Sequence, residues 1–378
     1  FFFKQKTAYE IYQCDWSSDV CSSDLLVLAI ALASCSLMAH AQGSPGAAGL
    51  PQVVVLSTGG TIAGRGESTT TLSGYKAGQV LGSQLIEAVP EIKQHANVRV
   101  EQIVNIGSGN MTIAVWLRLA ERINQIFSEE ASVAGVVITH GTNTLEETAY
   151  FLNLTVKHDK PVVLVGSQRP ATAISADGPL NLLNAVRVAA SPAAVGKGAM
   201  IVMNDEINAA RDVTKTNTFR VETFNSGELG FLGYVDSDEV AFYRMSTKRH
   251  TARSEFDVRG LTTLPKVEII YTYAEAGLEA IKAVAPASAG VVFVGTGAGG
   301  LSNAERAAIK SLGPVDSRAV MVLSKRPGNG RVVARKDYDA EGFIPGDNLN
   351  PQKARILLML ALTKTRDLGE IRRMFREY

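Results

Sequence analysis

Hydroxyl-bearing side chains follow several of the apolar segments in the sequence. Residues 53–56 are followed by Thr58 and Thr61, residues 98–106 by Ser108, and residues 133–139 by Thr142 and Asn143. Residues 199–204 are followed by the loop that holds Lys215. A hydroxyl group is a poor nucleophile until a base takes its proton. A lysine can be that base when burial in a low-dielectric pocket lowers its pKa. A threonine–lysine pair is therefore chemically sensible, but spacing alone does not show that the two residues meet.

Other kinds of site have less support. The histidines lack the spacing of metal ligands, so we predict no metal or other cofactor and expect each to be structural or exposed: His95, His140, His158 and His250. The glycine-rich segment 295–300 matches the dinucleotide pattern G-x-G-x-x-G and follows an apolar segment. The next predicted strand ends in Leu323-Ser324-Lys325, without the acid that would bind a ribose hydroxyl. A nucleotide site at 295–300 stays a minor alternative.

Predicted strands and helices alternate along most of the chain, which indicates an α/β fold with a doubly wound, mostly parallel sheet. In such a sheet, ligands bind just beyond the carboxyl ends of the strands, where Thr58 and Thr61 fall. Residues 231–243 are instead predicted to form an antiparallel hairpin.

The helix that follows residue 143 has a clear predicted start. Thr144 and Glu147 have the spacing of a capping box. Glu146 and Glu147 resemble a catalytic carboxylate pair, but we interpret them as first-turn acids that favour the helix dipole.

The 378 residues are enough for two domains. A composition change at residues 259–266 predicts a linker between a larger N-terminal domain, residues 50–258, and a smaller C-terminal α/β domain, residues 267–378. The smaller domain is expected to contain strands at 267–271, 290–294 and 319–323. Its last helix is expected to begin at Pro351, which is well placed for a first turn.

The first 41 residues are expected to be absent from the mature protein. We interpret residues 1–24 as a non-native leader, because they are acidic where a signal peptide is normally basic. Residues 25–41 read as a signal peptide cleaved after Ala41, which predicts a periplasmic or secreted protein; lipidation at Cys35 is the alternative. All three cysteines, Cys14, Cys21 and Cys35, lie in this region. The mature chain would therefore have no thiol for a disulfide, a metal or nucleophilic catalysis.

The charge balance excludes some classes of partner. The formal net charge is +1 at pH 7, and the sequence contains no run of like charges. We therefore predict no nucleic-acid partner and no membrane partner beyond the secretion step.

Several motifs together resemble one family. They are TGGTIAG at 58–64, Tyr75 in the glycine-bordered segment after it, IGS at 106–108, THGTNTLEETAYFL at 139–152, RDVTKTN at 211–217 and LNPQKARILL at 349–358. In this order, and over residues 50–378, they are similar to the bacterial type II, or periplasmic, L-asparaginases, including the glutaminase-asparaginases.

The resemblance implies a chemistry and an assembly. Thr61 would be the nucleophile on the substrate's side-chain carboxamide, Tyr75 would sit on a mobile lid, and Thr142 with Lys215 would form a second activating unit. Ser108 would hold the substrate α-carboxylate. The family implies hydrolysis of L-asparagine to L-aspartate and ammonia through an acyl-enzyme, with some activity on L-glutamine. It also implies a homotetramer of two intimate dimers, in which the neighbour's C-terminal domain completes each site.

The departures from the family pattern concentrate around the substrate's α-amino group. Asn143 stands where the family has aspartate, Gly109 where many members have glutamine, and Gly300 where some have asparagine. The family's partner-subunit glutamate has no unambiguous match among the nearby acids Asp337, Asp339 and Glu341. With Gly107, residues 109 and 143 complete the expected substrate-binding group.

These departures lead to a hypothesis of intact acylation and weakened ammonium recognition. Replacement of a charge-assisted hydrogen bond by a neutral one costs roughly 1 to 2 kcal/mol, or about 5- to 30-fold in affinity. Two alternatives stay open. One is an amidase for a carboxamide without a free α-amino group, and the other is a non-catalytic amino-acid-binding protein on the same fold.

Overall fold

The first predicted strand lies between two parallel neighbours in the computed structural model, which describes residues 49–378. The predicted leader, the signal peptide and all three cysteines fall outside the described residues. Within residues 49–378, no helix is both long enough and apolar enough to cross a membrane.

The larger sheet has eight strands in the order β10-β9-β6-β5-β4-β3-β1-β2. They are β1 Gln52–Gly59, β2 Asn97–Ile106, β3 Val133–Thr139, β4 Val162–Val165, β5 Ala199–Met203, β6 Glu206–Ala209, β9 Gly233–Val235 and β10 Val240–Phe242; β7 Thr214–Lys215 and β8 Phe224–Asn225 pair separately. Strands β1 to β5 run parallel, whereas β6, β9 and β10 join in antiparallel fashion.

Helices cover both faces of this sheet and of a second, smaller one. They are α1 Gly82–Glu87, α2 Ile113–Glu129, α3 Leu145–Thr155, α4 Gly178–Ala190, α5 Glu279–Val284, α6 Asn303–Lys310, α7 Lys336–Ala340, α8 Pro351–Ala361 and α9 Leu368–Glu377. The smaller sheet is fully parallel, in the order β11-β12-β13-β14, with strands Val267–Tyr271, Gly290–Gly295, Val320–Lys325 and Phe343–Pro345.

Strand β1 shows why the apolar segments are continuous rather than alternating. Val54 and Leu56 belong to the core on one face of the sheet, and Val53 and Val55 belong to the core on the other. Burial on both faces requires an unbroken apolar run, as expected for a parallel sheet between helical layers.

The order β3-β1-β2 explains where a site can form. The chain leaves β1 towards β2 on one side and then returns to form β3 on the other side of β1. The loops after β1, β2 and β3 therefore meet at a topological switch point, where open α/β sheets bind ligands.

Helix α8 connects the two sheets. It packs against α3 of the larger domain and against β11, β12 and β13 of the smaller one. Leu357, Leu358 and Leu360 are fully buried, which fits the predicted core helix at the C-terminus. Asn350 caps the helix by accepting a hydrogen bond from the Lys353 amide, and Pro351 occupies the first turn as predicted.

The predicted fold class is confirmed: a larger, mostly parallel N-terminal sheet and a separate smaller parallel sheet. The hairpin predicted at 231–243 is confirmed as the β9–β10 pair. The strand β14 and the short strands β6 to β8 were not predicted. The prediction that the helix beginning at Pro351 is the last one is wrong, because α9, Leu368–Glu377, follows it. Residues 259–266 contain neither helix nor strand, and we propose that they link the two domains.

Candidate active site

One cavity of about 360 Å³ lies beyond the carboxyl ends of β1, β2 and β3. Every residue predicted for the site lines it: Thr61, Tyr75, Gly107, Ser108, Gly109, Thr142, Asn143 and Lys215. Thr58 lies elsewhere, since its hydroxyl is buried and donates to the Thr139 carbonyl at 2.8 Å. The structure therefore brings together side chains that are up to 154 residues apart in sequence (215 − 61).

The first hydroxyl pair in the cavity joins Thr61 to Tyr75. Thr61 Oγ1 and the Tyr75 hydroxyl oxygen are 2.7 Å apart. Tyr75 sits on the segment 65–76, hereafter the lid segment. Its two ends are tied together, because the amides of Arg65 and Lys76 each donate to the other residue's carbonyl. The lid segment thus holds the phenol against the threonine.

The second pair joins Thr142 to Lys215. Lys215 Nζ donates to Thr142 Oγ1 at 2.8 Å. Lys215 is half-buried, and burial lowers its pKa, although the negative charge of Glu146 acts in the opposite direction. A lysine in this state loses its proton more readily than an exposed one, which suits it to act as a base.

Ser108 is held by the start of α3. Its Oγ accepts a hydrogen bond from the Asn143 amide at 3.1 Å, and its carbonyl accepts one from Thr144 Oγ1 at 2.8 Å. The predicted capping box of Thr144 and Glu147 is wrong, because the Thr144 side chain makes no cap to its own helix. Its hydroxyl instead fixes the loop that carries Ser108.

Two glycines allow the loops after β1 and β3 to touch. A Cβ on Gly60 would lie 2.3 Å from the Gly141 amide nitrogen, and Gly60 has φ +85°. A Cβ on Gly141 would lie 2.6 Å from Ser108 Oγ. These positions therefore require glycine, since no side chain fits between the backbones.

Gly60→Ala is expected to destabilise the protein by about 3 kcal/mol or more, because backbone strain and overlap with Gly141 add together. Urea unfolding would measure this free energy. Gly196→Ala is the matched control: Gly196 has φ +74° but no heavy atom near its Cβ direction. A Gly60→Ala protein no less stable than that control would contradict the close approach of the two loops.

Glu146 was not predicted as a site residue. Both Glu146 and Glu147 lie in the first turn of α3, as expected, but neither lines the cavity. The Glu146 carboxylate accepts the Lys215 backbone N–H at 2.9 Å and is only 5% exposed. The one feature of the sequence that could have indicated a role at the site is its position three residues after the Thr142-Asn143 motif.

His140 has a structural role, one of the two roles expected for each histidine. It is fully buried, and burial lowers its pKa to about 4, so the ring is neutral. Its Nδ1 lies 2.7 Å from the Gly141 carbonyl, and its Nε2 lies 2.9 Å from the Thr148 hydroxyl, which accepts a hydrogen bond from Trp116. These hydrogen bonds satisfy both ring nitrogens and position the backbone beside Thr142.

The glycine-rich segment 295–300 does not offer a phosphate cradle. The amides of Thr296 and Gly300 donate to each other's carbonyls, so the segment closes on itself. The start of α6 is already occupied by the Glu305 carboxylate, which accepts from the Ser302 amide at 2.8 Å. The nucleotide alternative therefore has no support in the structure.

The acids considered for the partner-subunit glutamate are all paired within the chain. Asp337 and Glu341 bind Arg306, and Asp339 binds Arg372. Within residues 49–378, no three His, Cys, Asp or Glu side chains cluster as a metal site would require.

Comparisons with known proteins decide the family. A family model described as "Asparaginase, N-terminal" matches residues 52–248, and one described as "Glutaminase/Asparaginase C-terminal domain" matches residues 266–375. The chain belongs to the asparaginase family. Membership confirms the resemblance and the prediction of an amidohydrolase.

Several named asparaginases are similar to this chain over most of its length. The chain is 52% identical over 330 residues to a protein named L-asparaginase 2 from Bacillus subtilis (strain 168), covering 87% of each. It is 48% identical over 355 residues to a probable periplasmic L-asparaginase from Haemophilus influenzae, covering 92% of this chain and 99% of that one. A glutaminase-asparaginase from Pseudomonas fluorescens biotype A is 46% identical over 334 residues, covering 87% and 91%.

A solved structure has the same fold. The crystal structure of a probable cytoplasmic L-asparaginase from Campylobacter jejuni matches with a TM-score of 0.84 and 47% identity. The match covers 87% of this chain and 100% of that one.

Proposed function

We propose that the protein hydrolyses the side-chain amide of L-asparagine to L-aspartate and ammonia through an acyl-enzyme on Thr61, with a secondary activity on L-glutamine. The observation that supports this most strongly is the placement of two hydrogen-bonded pairs, Thr61–Tyr75 and Thr142–Lys215, on one cavity. Ammonia release from each amide, measured with a coupled assay, tests the proposal.

Acylation uses Thr61 as the nucleophile and the Thr142–Lys215 pair as the base. Thr61 Oγ1 attacks the carboxamide carbon, and its proton passes through the Thr142 hydroxyl to the neutral amine of Lys215. The carbon–nitrogen bond then breaks, and Lys215 returns the proton to the leaving nitrogen, which departs as ammonia. General-base help of this kind contributes about 10²- to 10⁴-fold.

The developing oxyanion needs donors that are not already engaged. The Gly60 amide donates to the Ile106 carbonyl at 2.9 Å, so it is unavailable. Among residues 49–378, no backbone carbonyl accepts from the Thr61 or the Thr142 amide. We propose these two amides as the donors, because preorganised N–H groups stabilise such a charge without reorganisation.

Deacylation reverses the roles. Lys215, again through Thr142, takes a proton from water, whose oxygen bonds to the acyl carbon. The ester bond to Thr61 breaks, and the threonine regains its proton as L-aspartate leaves.

The substrate's α-carboxylate is assigned to Ser108. Its Oγ already accepts from the Asn143 amide, so its own proton is left to donate. Ser108 is 5% exposed, and a hydrogen bond to a charged group is strongest where water is excluded. Gly107 and Gly109 line the same wall of the cavity.

The ammonium side of the cavity lacks an acid. The lining residues from this chain include no aspartate or glutamate. Asn143 is exposed to the cavity, and the direction in which a Gly109 side chain would point is open space. The geometry thus supports intact acylation with weak recognition of an α-ammonium group.

Asn143→Asp is expected to lower KM for L-asparagine by about 5- to 30-fold, because a carboxylate replaces a neutral amide near the ammonium group. Steady-state ammonia release would measure KM and kcat. Gln168→Glu is the control, since it adds the same charge to another wall of the cavity. An unchanged or higher KM in Asn143→Asp would remove support for the ammonium hypothesis.

The missing acid also favours a second candidate substrate. A carboxamide whose amino group is acylated or absent would not need an anionic partner in the cavity. N-acetyl-L-asparagine, assayed beside L-asparagine, separates the two: a higher kcat/KM for the acylated amide would support this candidate. Bound amino acid without ammonia release from any amide would instead indicate a binding protein.

We further propose export and tetramer formation. The predicted signal peptide and the relative named periplasmic support export, although the solved structure is named cytoplasmic. Fractionation of expressing cells would test export, and light scattering of the purified chain would test for a homotetramer.

A further inference from the structure

Glu146 is a buried carboxylate at the junction of three segments. It lies in the first turn of α3, its Oε2 accepts the backbone N–H of Lys215 on β7 at 2.9 Å, and its Oε1 accepts from Gln352 in the first turn of α8. The Asn350 side-chain amide lies 3.5 Å from the same Oε1. One carboxylate therefore connects both domains to the strand that carries the proposed base.

The partners of Glu146 indicate that it is ionised. Each of them is an N–H donor, and a carboxylate is the acceptor-only form of the side chain. Burial of a charge is costly unless hydrogen bonds compensate it. The charged groups that face it are Lys215 on β7, Glu147 on α3 and Lys353 on α8.

Glu146 is buried, but it lies outside the cavity in which the reaction is proposed to occur. Its carboxylate does not line the cavity, so it cannot touch the substrate. It holds the main chain of Lys215, whose Nζ donates to Thr142. Thr142 itself lies four residues before Glu146, just ahead of α3. Glu146 thus fixes both members of the hydroxyl–lysine pair relative to each other.

We propose that Glu146 is a positioning residue for the Thr142–Lys215 pair, and that it couples this pair to the C-terminal domain through Gln352. This inference rests on the proposed function, in which that pair is the base. The connection means that the base is correctly placed only when the first turn of α8 is docked against α3. Glu146 thereby links the docking of the two domains to the reaction.

The charge of Glu146 has a second consequence. Burial lowers the pKa of Lys215, and the negative charge of Glu146 partly opposes this effect. Near this pair, Glu147 interacts with Arg355 and with Lys353, and Lys353 also interacts with Arg211 and Asp212. Glu146 is the charge that acts on Lys215. Removal of that charge should let the lysine lose its proton at lower pH.

The informative variant is Glu146→Gln. Glutamine keeps an oxygen that can accept the Lys215 N–H, nearly preserves the volume, and removes the charge. We expect the acid limb of the kcat/KM profile to move to lower pH, with kcat reduced about 10-fold by the loosened geometry and KM little changed. Glu147→Gln is the matched control: the same change, one residue away, on a side chain that makes no contact with Lys215.

Gln352→Leu tests the connection to the C-terminal domain. It should lower kcat by a similar factor while Glu146 and its charge remain, so the acid limb should stay in place. Thermal unfolding of each variant checks that the fold is retained. A Glu146→Gln enzyme with the pH profile and kcat of the wild type would overturn the proposal.

A second readout does not depend on the substrate. Competitive labelling of lysine amines with acetic anhydride over a range of pH reports the ionisation of Lys215 directly. A lower Lys215 pKa in Glu146→Gln but not in Glu147→Gln supports the coupling even if the wild type does not hydrolyse L-asparagine. The same Lys215 pKa in both variants would overturn the coupling, whatever the substrate proves to be.

Discussion

Thr61→Ala should reduce kcat for ammonia release from L-asparagine by about 10⁴-fold or more, since removal of a nucleophile abolishes the covalent route. Thr61 is 7% exposed, and loss of its hydroxyl and methyl groups should change the free energy of unfolding only a little. The expected loss of rate is therefore much larger than any effect of unfolding. The measurement is steady-state ammonia release at saturating substrate, with enzyme concentration raised until the residual rate is detected.

Thr61→Ser provides the matched control. It restores the hydroxyl that lies 2.7 Å from the Tyr75 oxygen in the native enzyme, so it should recover a large part of the rate. Thermal unfolding should show that all three proteins are folded. A Thr61→Ala enzyme within 10-fold of the wild type would contradict the role of Thr61 and would favour Thr142 as nucleophile.

Lys215→Met should reduce kcat by about 10³-fold, because the base that accepts the threonine proton is lost while the side-chain volume is nearly kept. In the wild type, burial lowers the Lys215 pKa, so the neutral amine is populated at lower pH than in an exposed lysine. The rate should therefore rise with pH through an acid limb that reports Lys215, and Lys215→Met should lack that limb. A pH profile of kcat for both proteins checks this.

Lys76→Met is the control for Lys215→Met. Lys76 is an exposed lysine on the lid segment, and its backbone, not its side chain, joins the two ends of that segment. Its substitution should leave the acid limb in place. An acid limb that survives in Lys215→Met would show that another group is the base.

Some of the site follows from local sequence alone. Thr61, Ser108 and Thr142 each come soon after a strand, and parallel strands end at the same edge of a sheet. The order of the strands, with β1 between β2 and β3, then brings their loops together. Local pattern predicted the cluster, although only the fold showed that its members share a cavity.

Tyr75 and Lys215 needed more than local pattern. Lys215 was a candidate base on chemical grounds, but its pairing with Thr142 was implied only by the resemblance to the asparaginases. The role of Tyr75 was also implied only by that resemblance. Tyr75 reaches Thr61 because the lid segment folds back, and Lys215 lies on β7, a strand of two residues. A strand this short cannot show an apolar periodicity in the sequence.

Glu146 could not be assigned from the sequence for a different reason. Its partners Lys215 and Gln352 are 69 and 206 residues away, and nothing local marks a first-turn acid as a tertiary acceptor. Thr144 misled the prediction in the same way, since its hydroxyl bonds Ser108, 36 residues away, rather than its own helix. A tertiary contact replaced the predicted cap at Thr144, and at Glu146 tertiary contacts were added to the expected first-turn position.

The acyl-enzyme itself is the most direct test of the proposed mechanism. The enzyme would be mixed with L-asparagine, quenched in acid within the first turnover, digested and mapped by mass spectrometry. We predict one β-aspartyl group on the peptide that contains Thr61, and none on that peptide in Thr61→Ala. An adduct on Thr142, or steady ammonia release with no adduct on any peptide at any quench time, would contradict the proposed acyl-enzyme on Thr61.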